Sequence, residues 1–143
     1  MRSFVTKDYG RIVVIHLSKG DKLQESIRSE LTRLGIKNAV LLSAIGSLRK
    51  LSFHTITQTT DKSVDEFVTL ERPFEVGSMQ GLVLNGEPHI HLICSDPQRL
   101  YVGHLENGTE IQYLMEMTFL EILNLDLHRV KDEFDIPYIV EMH

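Results

Sequence analysis

Cysteine is almost absent from this 143-residue chain. The single one, Cys94, has no partner for an internal disulfide and cannot by itself build a thiolate metal site, which excludes a disulfide-stapled secreted scaffold. No apolar run approaches the ~18 residues that a membrane span requires, so none is expected. A basic excess is missing too. Fifteen Lys and Arg against twenty Asp and Glu leave a formal charge of −5, the wrong sign for a chain that wraps nucleic acid through its bulk charge. Arg49-Lys50 is the only adjacent basic pair, too little for the many phosphate contacts on which nonspecific DNA affinity depends. The polar run at residues 55–63 lacks the glycines of a phosphate-binding loop. No serine nucleophile elbow, Walker motif or dinucleotide fingerprint occurs.

What remains is an ordinary globular composition, 42% hydrophobic and 24% charged, of a length that suits one domain over residues 1–143. Charges interrupt residues 1–8, so no signal peptide is read there, and a soluble, cytoplasmic protein is expected. Residues 11–17 form a β-branched strand closed by Lys19-Gly20. Asp21 reads as an N-cap with Gln24 as its capping-box partner. Leu23, Ile27, Leu31 and Leu34 then make one apolar helical stripe, with Gly35 at the C′ position.

Strands dominate from there: residues 38–44, ending at Ile45-Gly46-Ser47, then 48–56, 66–75, 76–84, 89–95 and 109–121. Asn85-Gly86 and Asn107-Gly108 are turn signals, the second a strong one for a hairpin. Along the last strand Ile111, Tyr113, Met115, Met117 and Phe119 alternate with polar residues, which predicts one core-facing side. Residues 124–143 read either as a helical turn or loop followed by an edge strand from Pro137, and stay open. The fold class is α+β, a mostly antiparallel sheet packed against one or two helices.

Seven histidines need an explanation. In Gly86-Glu87-Pro88-His89-Ile90-His91-Leu92, strand alternation places His89 and His91 on one face and Ile90, Leu92 and Cys94 on the other. His104 lies thirteen residues beyond His91 and completes a three-nitrogen set if the two segments run side by side. Three imidazoles without cysteine favour zinc or another borderline divalent transition metal, and leave a coordination position for water or substrate. Glu87, Asp96, Glu106 and Glu116 are the carboxylates that could orient ligands or accept a proton. His16 reads as a core-edge residue, His54 as solvent-facing, and His128 and His143 as isolated.

The order His89-Ile90-His91-Leu92, Gly103-His104-Leu105, Gly108 and Glu116, with residues 40–48 (VLLSAIGSL) and 72–81 (RPFEVGSMQG), resembles the PPC (plants and prokaryotes conserved) domain. The resemblance spans about residues 2–123 and leaves 124–143 as a C-terminal extension. It implies an α+β homotrimer in which His89, His91 and His104 hold a divalent metal, commonly zinc. It also brings a DNA-binding label, with DNA or a transcription-related protein as partner. The Arg-Gly-Arg-Pro core of the AT-hook that plant relatives carry is absent here. Three functions follow: a binding and assembly module; a zinc-dependent hydrolase with Glu116 or Glu87 as general base; and a trimer binding small molecules between its subunits.

Overall fold

The computed structural model describes residues 1–142, so His143 lies outside the described residues. Eight strands and one helix follow in the order β1 (Tyr9–Ser18), α1 (Leu23–Arg33), β2 (Ala39–Ile56), β3 (Asp65–Leu84), β4 (Glu87–Ser95), β5 (Leu100–Leu105), β6 (Glu110–Ile122), β7 (Leu127–Lys131) and β8 (Pro137–Glu141). The first six strands form one antiparallel sheet ordered β1-β6-β2-β3-β4-β5, and β5 returns to pair with β2 as well. The sheet therefore curls until its far strand meets its middle. This is the α+β fold expected, with one helix.

That closure follows from the length of β2. The two strands expected around Ile45-Gly46-Ser47 are one eighteen-residue strand, because shifts of register carry the pairing across Gly46 instead of ending it. Residues 66–84 likewise form one strand without a break at Val76. β2 is long enough to serve two neighbours in succession along one edge: β6 pairs with it from Ala39 to Lys50, and β5 takes over at Phe53 and His54. The handover lies at Asn107-Gly108. The hairpin expected there does not form, since β5 and β6 both pair with β2 and not with each other. Buried Thr109 seals the junction: its hydroxyl accepts from the Ser52 N–H (2.9 Å) and donates to the Ser52 carbonyl (3.0 Å). At Asn85-Gly86 the expected turn does form, both residues with positive φ (50° and 80°), joining Leu84 to Glu87.

Leu23, Ile27 and Leu31 of α1 are buried against the inward face of the sheet, among Ile15, Leu17, Ile90 and Phe119. The helix ends as expected. Gly35 has φ 70°, the Gly35 N–H bonds the Thr32 carbonyl, and the Ile36 N–H bonds the Leu31 carbonyl. Its start differs. Lys22 is the N-cap and has no side-chain cap; the Asp21 carboxylate instead accepts from the Ser18 N–H (2.8 Å), and the Thr109 carbonyl satisfies the Leu23 N–H. Gln24 donates to Asn107 Oδ1 (3.3 Å), so a tertiary contact replaces the capping box.

Tyr113 departs from the alternation of β6 and is 72% exposed, next to the register shift between Gly46 and Leu48. The C-terminal segment is a separate hairpin of β7 and β8. Buried Asn38 anchors its approach by donating to the Leu125 carbonyl (2.7 Å), and the Arg2 guanidinium lies 4.0 Å over the Tyr138 ring. No helix among the described residues is long and apolar enough to cross a membrane.

Candidate metal centre

Register brings the histidines together. His91 of β4 faces His104 of β5, and His104 in turn faces His54 of β2. Cross-strand partners project to the same side of a sheet, so these three rings form a row, and His89 joins it from one pleat along β4. Ring centroids are 5.3 Å apart for His89 and His91, 4.7 Å for His89 and His104, and 5.4 Å for His91 and His104. One nitrogen from each of these three lies within 4.8 Å of the others. Ile90, Leu92 and Cys94 point the opposite way into the core, as alternation requires. Burial pushes the Cys94 thiol up to about 11, which leaves it protonated and inert.

Two glycines permit this approach. A β-carbon at Gly103 would lie 2.6 Å from the His54 carbonyl oxygen and also meet the Phe53 ring, so only glycine lets β5 sit this close to β2. At Gly81 a β-carbon would overlap the His89 carbonyl oxygen.

The environment keeps the rings neutral. Burial, then the neighbouring imidazoles and Arg129, lowers His104 to about 4. Burial followed by Arg129 lowers His89, and burial followed by His54 lowers His91. Neutral imidazole is the form that ligates, so the set needs to lose no protons at pH 7 to accept an ion. Three nitrogens, no thiolate and one exposed member, His91, make a donor set that can hold a zinc-like ion.

His54 corrects the expectation of a solvent-facing residue. It is half-buried, its ring stacks on His104 at 4.5 Å, and Nδ1 lies 2.6 Å from Glu106 Oε1. His54, His104 and Glu106 form a second group with metal-ligand spacing that shares His104 with the first. Nothing in the sequence marks His54, because the β2–β5 pairing that delivers it depends on closure of the sheet.

The other candidates are distant or engaged by other residues. Glu116 pairs with His16 and with Ile45, nine residues along β2 from His54, and is therefore no base for this site. Glu87 is engaged by Arg28 (3.2 Å). Asp96 accepts from Arg72, from the Tyr101 hydroxyl and from two backbone N–H groups, and these bonds hold its carboxyl far below the usual range. His16 is exposed, not a core-edge residue, and His128 contacts Asp126 (3.0 Å).

The Plants and Prokaryotes Conserved (PCC) domain matches residues 5–123. Among solved structures, the chain is similar to a metal-containing protein from Archaeoglobus fulgidus, with 26% identity, a TM-score of 0.82 and full coverage of both chains. It is similar also to a plant- and prokaryote-conserved protein from Pyrococcus horikoshii, with 21% identity, a TM-score of 0.80 and coverage of 98% of this chain and 99% of that one. A candidate DNA-binding protein from Bacteroides thetaiotaomicron has 13% identity and a TM-score of 0.77 over 93% and 96% of the two chains. These last two share the fold. A curated relative, the bifunctional protein GlmU of Synechococcus sp. (strain JA-3-3Ab), is 25% identical over 123 residues. They make up 85% of this chain but 19% of that protein, so the chain spans about a fifth of its relative's length.

Proposed function

From the premise that the chain belongs to the Plants and Prokaryotes Conserved domain family, we propose that it is a metal-carrying binding and assembly module that works as a homotrimer. The observation that carries the metal is the convergence of neutral His89, His91 and His104 within 4.8 Å from two adjacent strands. The metal-containing relative at 26% identity supports the same reading. Zinc, or another borderline divalent ion, suits three imidazoles best. Self-association is supported by the outward face of β1 and β2, where Ile12, Val14, Leu42 and Ile45 are more than half exposed. Elemental analysis of purified protein alongside light scattering tests both parts. One bound transition metal per chain, lost in His91→Ala, and a mass of three chains are expected. A metal-free wild type or a monomer would refute the corresponding part.

DNA is the weaker partner on physical grounds. Arg49 and Lys50 lie within ion-pair distance of Glu110 (3.8 Å) and Glu71 (3.4 Å), so carboxylates next to this one basic pair offset its attraction for phosphate. Anisotropy with random and AT-rich duplexes over a salt series is expected to give no micromolar binding that weakens steeply with salt.

A zinc-dependent hydrolase is the second reading, favoured by the exposure of His91, which leaves the histidine set open to solvent. An ion bound there would supply Lewis acidity and a water of lowered pKa. Glu106, through its short bond to His54, is then the carboxylate placed to help hold a proton near His104. Equal ester turnover by metal-free and metal-loaded protein would end this reading.

A further inference from the structure

Arg129 stands beside the histidines without a role in holding a metal. It projects from β7 and donates to two main-chain oxygens, Nη1 to Glu87 (2.9 Å) and Nη2 to Leu82 (3.1 Å). Among the described residues no carboxylate lies within ion-pair distance of it, although it is half-buried. Glu87 acts on it only from longer range, so the half-buried cation has no carboxylate bonded to it, which is costly, and the two carbonyls engage only two of its five N–H groups.

The guanidinium borders a cavity of about 290 Å³ lined by Gly81, Leu82, His89, Arg129, Pro137 and Ile139. One wall is thus polar and cationic, formed by Arg129 and the His89 imidazole. The rest is aliphatic. Pro137 and Ile139 come from β8, so the C-terminal hairpin lines one side of this open cavity, and it lies beyond the residues matched by the family domain.

We propose that this cavity binds a small carboxylate with a short apolar tail, its head group against Arg129 and toward His89, its tail among Leu82, Pro137 and Ile139. The planar guanidinium fork matches a carboxylate in shape and charge. A phosphate would bring more charge than one arginine balances, and no tail to fill the aliphatic wall. The volume lies at the lower bound of small-molecule sites, which limits the tail to a few carbons. The inference leans on the metal reading only in that an ion on His89 would add a second positive charge to the same wall.

Calorimetric titration of the zinc-loaded protein with acetate, butyrate and inorganic phosphate at fixed ionic strength tests it. Butyrate is expected to bind about tenfold tighter than acetate, from burial of two further methylenes, and tighter than phosphate. Arg129→Gln retains an amide donor for the carbonyls but removes the charge; it should weaken butyrate at least about tenfold with metal content unchanged. Ile139→Trp should exclude butyrate by filling the cavity. If either variant, folded by circular dichroism, binds butyrate as tightly as wild type, or if phosphate binds as well as butyrate, the inference is wrong. Arg129-dependent butyrate binding to a protein that takes up no zinc would uphold this site while overturning the metal reading. Zinc uptake without butyrate binding would do the reverse.

Discussion

His104 shows how much one residue's surroundings decide. Its ring has His54 on one side and His89 and His91 on the other, and burial with these neighbours brings it down to about 4. In the unfolded chain the same imidazole titrates near 6.5. Between those two values the unfolded state binds more protons than the folded state, so stability is present above pH 6.5 and is lost as the pH falls toward 4. Metal-free protein should therefore show a falling urea midpoint between pH 7 and pH 5, and His104→Gln should flatten that dependence. A slope unchanged in the variant would place its source elsewhere. His54 acts one shell out, through its stack on His104 and its bond to Glu106. His54→Ala is expected to weaken zinc retention about tenfold in chelator competition, the usual scale for a group that orients a ligand. His91→Ala should remove the metal altogether.

At the scale of elements, the two Asn-Gly turns carry the lesson about legibility. Asn85-Gly86 made the tight turn its dipeptide predicts, because its flanking strands β3 and β4 are each other's partners. Asn107-Gly108 has the same local chemistry but joins strands that share an edge of β2. A dipeptide specifies a bend; which strand the chain meets after it depends on distant residues. Thr109 holds that handover, and Thr109→Val would leave the buried Ser52 N–H without its partner, while the Ser52 carbonyl keeps the Glu106 N–H (2.9 Å). A loss of about 1–3 kcal/mol is expected in equilibrium urea unfolding. Gly103→Ala should push β5 away from the His54 carbonyl, lowering both thermal stability and zinc affinity. A stable variant with full zinc affinity would show that β5 tolerates the displacement. The helix was readable in its stripe and its glycine stop. Its start was not, since the Leu23 N–H is satisfied by Thr109, eighty-six residues away.

For the whole molecule, charge and exposed apolar surface pull in one direction. A net charge of −5 opposes bulk attraction to nucleic acid, while the aliphatic face over β1 and β2 invites a second copy of the chain. Val14→Glu, on that face and 72% exposed, should leave the monomer folded and reduce the mass seen by light scattering. An unchanged mass would move the contact to another surface.

The amino-acid order alone determined the class of fold, the helical stripe, the facing of His89 and His91, and the absence of thiolate chemistry, because each follows from local periodicity or composition. His104 was within reach through its spacing and a family resemblance. Tertiary structure decided the rest: that β2 runs unbroken past Gly46, that β5 returns to it, and that His54 and Glu106 therefore stand beside the triad. It also decided that the C-terminal hairpin puts Arg129 next to His89. These depend on the register between strands far apart in sequence, a quantity set by how the closed sheet packs and not by any segment read by itself.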